Sequence, residues 1–235
     1  MKKYIPNIVT LFNLLSGCFA ILLATQDFLK EAAAMLLLAS VFDFFDGMLA
    51  RLLHVKSDIG KELDSLADMI SFGLAPAMIL YQLFILTGIN NLTLYNLYVI
   101  PAIISFLFPC FVALRLAKFN LDTRQTELFY GLPSPAAAFV LISFSFFPQN
   151  EFSFGIYTVT VLILCVFMLA NIPLLSLKFK DFSLKNNLFR YILVVISAML
   201  LIFLTFRSIP FIILTYICLS FIHNFSYKKN AHGNS

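Results

Sequence analysis

Asp43-Phe44-Phe45-Asp46-Gly47-Met48-Leu49-Ala50-Arg51, followed after eight residues by Gly60-Lys61-Glu62-Leu63-Asp64-Ser65-Leu66-Ala67-Asp68, decides how this chain folds. Six of its 12 acidic residues (Asp43, Asp46, Asp58, Glu62, Asp64, Asp68) fall in this window, and apolar runs flank it on both sides. A carboxylate beside hydrocarbon costs several kcal/mol unless a cation compensates it, so acids in such a setting point to function. On a helix Asp43 and Asp46 lie about 60° apart and Asp64 and Asp68 about 40° apart, so each pair shares a face. A short turn between the two helices brings four carboxylates together, and hard oxygen ligands in that number suit Mg²⁺, Mn²⁺ or Ca²⁺. Gly47, Ala50 and Gly60 leave room for a ligand to approach the backbone, and Arg51 offers a forked donor for phosphate. Metal, phosphate and an open floor together indicate a diphosphate nucleotide or lipid substrate.

The surroundings of this window are membrane-like. Hydrophobic residues make up 61% of the chain and charged ones 12%, and mean hydropathy is +0.93, which excludes an ordinary soluble domain. Apolar segments at roughly 7–25, 32–50, 69–87, 92–114, 134–148, 157–175, 191–206 and 209–225 predict an all-α polytopic bundle of six to eight spans, eight preferred. The fifth, seventh and eighth are short for a full crossing. Residues 1–227 are expected to form one membrane domain, with a short polar, disordered tail at 228–235. The opening Lys2-Lys3 and apolar run resemble a secretory leader, but Asn7, Asn13, Ser16 and Gly17 interrupt the run, so it reads as a retained first helix. Cys18, Cys110, Cys165 and Cys218 sit singly in apolar runs and read as small packing residues. His54, His223 and His232 are scattered and receive no role.

Lys and Arg orient the bundle. With eight spans and an internal N-terminus, 14 of the 16 (Lys2, Lys3, Arg51, Lys56, Lys61, Arg115, Lys118, Arg124, Lys178, Lys180, Lys185, Arg190, Lys228, Lys229) fall on the inner side, and only Lys30 and Arg207 fall outside. Both termini and the acidic window are therefore expected to be cytoplasmic. The net charge of +4 is then a topological signal and an attraction to anionic headgroups, not a nucleic-acid signal. Two further inner stretches carry polar groups, Arg115-Leu-Ala-Lys118-Phe-Asn120 and Gly131-Leu-Pro133-Ser134-Pro135. Arg115 and Lys118 share a helical face beside the acids, suited either to an anionic acceptor or to plain topological anchoring. Ser134 is placed as an N-cap.

The string D-x2-D-G-x2-A-R-x8-G-x3-D-x3-D resembles, at every fixed position, the signature of the CDP-alcohol phosphatidyltransferases. The resemblance covers roughly residues 5–175. Ser71-Phe72-Gly73, the Arg115–Asn120 segment and Gly131–Pro135 look like the branch whose acceptor is serine, and Ile5-Pro6-Asn7-Ile-Val-Thr10 is similar to family members as well. Lys118 departs from that branch, where arginine is expected. The resemblance implies transfer of a phosphatidyl group from CDP-diacylglycerol to L-serine with release of CMP. It implies two divalent ions, Mg²⁺ or Mn²⁺, held by Asp43, Asp46, Asp64 and Asp68, with Asp68 as general base. It also implies a nucleotide floor of Gly47, Ala50, Arg51 and Gly60, to which Asn7, Thr10 and Ser57 are added as further candidates, and acceptor contacts from Arg115, Lys118 and Asn120. A homodimer in the inner membrane is expected, with no nucleic-acid partner.

Two alternatives differ in what they require. An acid-lined cation transporter needs no glycines and arginine at fixed spacing and places its acids near mid-membrane. A synthase using glycerol 3-phosphate or inositol phosphate needs a richer basic cluster than Arg115 and Lys118.

Overall fold

A computed structural model describes residues 4–55, 57–87, 94–121, 129–148, 151–175, 183 and 187–232. The chain runs through α1 (Tyr4–Thr25), α2 (Leu29–Leu52), α3 (Asp58–Asp68), a π-helical turn (Met69–Leu74), α4 (Ala75–Leu86) and α5 (Leu94–Leu121). There follow β1 (Phe129–Tyr130), α6 (Ser134–Ser143), a 3₁₀ turn (Phe144–Phe146), α7 (Phe154–Leu169) and β2 (Pro173–Leu174). The chain ends on α8 (Leu188–Leu204), a second 3₁₀ turn (Thr205–Ser208) and α9 (Ile209–His232). Each of the eight apolar segments expected from sequence carries a helix among the described residues, the sixth giving way to β2 at its end. Tyr4–Thr25, Leu29–Leu52, Asp58–Leu86, Tyr98–Leu121 and Leu188–His223 are long and apolar enough to cross a membrane, and Ser134–Phe146 and Phe154–Leu169 are shorter apolar helices. The protein is a multi-pass, all-α membrane bundle.

Small residues bring the first two helices together. Ala20 and Ala24 of α1 and Ala32, Ala33 and Ala39 of α2 are fully buried, so the backbones approach closely, as helices in lipid do where side chains are small. The turn between them closes on Asp27, at φ 64°, with Phe28 N donating to Leu23 O at 3.0 Å. Phe72, Phe84, Phe108 and Tyr157 fill the centre, and Phe84 meets Tyr157 edge-on at 5.6 Å.

Several features differ from the sequence expectation. The third segment begins at Asp58 rather than near residue 69, because its first turns are amphipathic and carry the acids, which hydropathy passes over. β1 and β2 pair antiparallel, Phe129 with Leu174 and Tyr130 with Pro173, a short clasp that leaves the all-α class unchanged. Gly131 follows β1 at φ 76°, where an added Cβ would lie 2.5 Å from Met168 O, so only glycine fits. Ser134 is not an N-cap: Pro133 holds that position, and the Ser134 hydroxyl serves Arg115 instead. Lys228–His232 continue α9 rather than forming a disordered tail. Among the residues used for orientation, Lys2, Lys3, Lys56, Arg124, Lys178, Lys180 and Lys185 lie outside the described residues, as do 233–235 of the tail.

Candidate active site

Three helices present polar faces to one another at one end of the bundle. α2 supplies Asp43 and Asp46, α3 supplies Asp64 and Asp68, and the first half of α1 lies against both. The connection is short because Leu53 N bonds Leu49 O at 2.9 Å and His54 adopts φ 52°, which turns the chain back. Ser57 then caps α3, its Oγ accepting from Gly60 N at 3.3 Å.

Carboxylate oxygens of Asp43, Asp64 and Asp68 all lie within 4.8 Å of one another, a grouping able to hold a metal ion. Oδ1 of Asp64 is buried and accepts no hydrogen bond, so a strong acceptor is left open inside the cluster. Three convergent carboxylates with an unused lone pair fit a hard divalent cation. Asp46 stands apart from this tight group. It is buried, and its Oδ2 accepts from Thr10 Oγ1 at 2.6 Å. The same hydroxyl lies 3.1 Å from Pro6 O, and the shorter contact to a charged acceptor takes the proton.

Beside the cluster opens a cavity of about 380 Å³, within the size range of small-ligand sites. Asp46 and Asp64 border it on the acid side, Gly47, Ala50 and Gly60 form its floor, and Asn7, Thr10 and Ser57 complete the wall. Gly47 faces open space, while a Cβ at Gly60 would stand 3.0 Å from Asn7 Oδ1. Nearly every floor and wall residue expected from sequence is thus gathered at one place. Arg51 is the exception: it is exposed on the last turn of α2 and does not border the cavity.

The acceptor candidates separate. Arg115 turns inward, its Nη1 donating to Ser134 Oγ at 2.7 Å, and it lies near enough to Asp68 to sense that charge. Its Nε is buried without a partner, a donor held in reserve. Lys118 is exposed. Asn120 ties α5 to α3, donating from Nδ2 to Ser65 Oγ at 2.9 Å while its carbonyl accepts from Lys61 Nζ at 2.9 Å.

One residue of the site escaped the sequence reading. Asn13 is fully buried, donates from Nδ2 to Asp68 Oδ1 at 3.3 Å, and its own Oδ1 has no partner. Its backbone carbonyl accepts from Ser71 Oγ at 3.0 Å, on the π-helical turn that directly follows Asp68. Gly17, one turn later, lets Ser71 approach, since a Cβ there would sit 2.6 Å from Ser71 Oγ. π-helical turns gather at functional sites, and this one sets the register of Asp68 against α1. The available signal was the spacing of Asn7, Thr10 and Asn13, three apart on an otherwise apolar helix.

The family model described as CDP-alcohol phosphatidyltransferase matches residues 3–202. The chain is 34% identical over 199 residues to the CDP-diacylglycerol--serine O-phosphatidyltransferase of Helicobacter pylori, covering 81% of this chain and 78% of that one. It is 36% identical over 144 residues to the protein of the same name from Bacillus subtilis, covering 61% and 76% respectively. It is also 36% identical over 166 residues to the archaetidylserine synthase of Methanothermobacter thermautotrophicus, covering 68% and 66%.

Proposed function

The chain belongs to the CDP-alcohol phosphatidyltransferase family, and from that premise we propose that it transfers the phosphatidyl group of CDP-diacylglycerol to the hydroxyl of L-serine, giving phosphatidylserine and CMP. The observation that carries this reading is the Asp43, Asp64 and Asp68 cluster, which meets a glycine-floored cavity through Asp64. The nucleotide sits over Gly47, Ala50 and Gly60, small residues that let it approach the backbone, most openly at Gly47, where nothing stands within 4 Å of an added Cβ. Asp43, Asp64 and Asp68, with Asp46 at the cavity edge, hold two Mg²⁺ or Mn²⁺ ions. When bound, these supply charge neutralisation of the diphosphate and of the departing CMP.

The chain's own groups do the rest. Asp68 takes the serine hydroxyl proton as the serine oxygen attacks the phosphorus bearing the diacylglycerol. A new P–O bond forms to serine, the P–O bond of the diphosphate bridge breaks, and CMP leaves with that bridging oxygen. Arg115, within electrostatic reach of Asp68 and with Nε still free, receives the serine carboxylate, so the acceptor is oriented on the side of its base. Serine is favoured over phosphorylated acceptors because, among the described residues, Arg115 is the cation turned inward near Asp68, whereas Lys118 is exposed and Lys61, at the cavity edge, is engaged by the Asn120 carbonyl.

The acyl chains stay in lipid while serine and CMP exchange with the cytoplasm. The Lys and Arg bias of the sequence supports that placement, with both termini and the site on the inner face of the cytoplasmic membrane. Residues 1–227 act as one catalytic domain, working as a homodimer. The test is CMP release from CDP-diacylglycerol by the purified protein across a panel of alcohols. Release stimulated by serine and not by glycerol 3-phosphate or inositol phosphate is expected, and stimulation by a phosphorylated acceptor alone would reject the serine reading.

A further inference from the structure

Lys30 and Arg207 are the two cations that the charge pattern sets apart from all others, and the structure brings both to one cavity of about 320 Å³. This cavity forms where three chain breaks meet: the start of α2, the 3₁₀ turn ending α6, and the turn between α8 and α9. Lys30 precedes Asp43 by 13 residues on the same helix, which places the cavity about 20 Å along α2 from the carboxylate cluster.

The arginine is held in place. Its Nε donates to Phe146 O at 2.8 Å and its guanidinium carbon lies 5.5 Å from the Phe147 ring centre, which leaves both terminal nitrogens for an outside ligand. The turn presenting it is strained: Thr205, a β-branched residue, sits at φ 53° and ψ −141°. Such strain persists where surrounding structure enforces it, and it collects at ligand sites. Next to this cavity, and sharing Lys30 with it, lies a second hollow of about 500 Å³ lined by Ser145. Ser145 is 5% exposed, and its Oγ has no hydrogen-bond partner, so an unused donor points to a missing acceptor. Asp27 and Glu31 border the second hollow and not the first, and Asp27 already accepts from Gln82 Nε2. On the outer side stand Phe203 and Leu204, 78% and 42% exposed, apolar surface directly beside the cations.

We propose that this cavity, remote from the catalytic end, binds the phosphate of a membrane glycerophospholipid, with Lys30 and Arg207 as its cationic partners and Phe203 and Leu204 against the acyl chains. Two fixed positive groups with apolar walls match a phosphodiester joined to hydrocarbon, and neither free phosphate nor a neutral lipid satisfies both halves.

The chain has no tryptophan, so Phe203→Trp in the full-length protein in detergent places a single indole at the cavity. Titration with short-chain phosphatidylglycerol is expected to change indole emission saturably. Adding Lys30→Gln and Arg207→Gln should weaken the apparent affinity roughly fivefold for each lost charge, about 20-fold or more together. Each single variant is measured too, so that misfolding of the double variant, seen by thermal unfolding, leaves the decision to the singles. Equal affinity in the charge variants overturns the proposal. So does saturation by short-chain diacylglycerol at the same concentration, which removes the phosphate from the recognition, or by inorganic phosphate alone, which removes the lipid.

Discussion

Replacing Asn13 by leucine separates the chemistry of the site from its stability. The substitution keeps the branched outline of the side chain but removes the Nδ2 donor to Asp68 Oδ1, a contact of 3.3 Å. Hydrogen bonds to charged acceptors contribute about 1.5–3 kcal/mol, and this contact is long, so the lower end applies. That amounts to about tenfold in rate if Asp68 must hold one orientation to take the serine proton. The same substitution removes Asn13 Oδ1, which is buried without a partner, and such an atom costs about 1–3 kcal/mol. The two contributions offset each other in the folded state, so stability should stay level or rise while turnover falls. Asn13→Ala, which leaves a void at a fully buried position, should lose both. The assay pairs kcat and KM from CMP release with thermal unfolding in the same detergent. The KM for CDP-diacylglycerol should change little, because Asn13 does not border the glycine-floored cavity proposed for the nucleotide. Wild-type kcat in Asn13→Leu would refute the reasoning, as would a loss of activity that merely tracks a loss of stability.

Further outcomes follow from neighbouring residues. Asp68→Asn keeps shape but cannot accept the serine proton and should lower kcat on the order of 10²- to 10⁴-fold while nucleotide binding survives, whereas Asp43→Asn should impair both. Nucleotide affinity and single-turnover rates across a metal titration distinguish them, and rescue of Asp68→Asn by excess metal would make Asp68 a ligand and not the base. Arg115→Ala should raise the KM for serine more than that for CDP-diacylglycerol, and an unchanged serine KM would return Arg115 to a structural role with Ser134. Gly17→Ala sets a Cβ 2.9 Å from Ser71 Cα, so backbone must move. It should destabilise by about 1–3 kcal/mol, and adding Ser71→Ala should not rescue it.

Much of this was written in the chain because hydropathy and fixed spacing each report directly on a physical constraint. Long apolar runs have to be helices in lipid, and helical spacing with a short turn brings Asp43, Asp64 and Asp68 together, whereas Asp46, expected in the same group, stands apart on the Thr10 hydroxyl. What escaped notice depends on partners distant in sequence. Ser134 looked like a cap until the Arg115 side chain reached it across 19 residues. Asn13 looked like an interruption of an apolar run, because its role rests on Asp68 and Ser71, more than 50 residues away. The π-helical turn at Met69–Leu74 has no composition of its own, and the early start of α3 hid behind its charges. Lys118 and Arg51 share the sign and spacing of a site residue, yet both are exposed, a distinction that helical phase alone does not supply.

The most direct test of the central claim is the incorporation of labelled L-serine into organic-extractable lipid by the purified protein, with CDP-diacylglycerol and Mg²⁺ or Mn²⁺ present. The account predicts label in phosphatidylserine with equimolar release of CMP, absent without CDP-diacylglycerol and abolished by EDTA. Label that stays wholly in the aqueous phase while glycerol 3-phosphate enters lipid under the same conditions, or full incorporation in a thoroughly chelated sample, would contradict it.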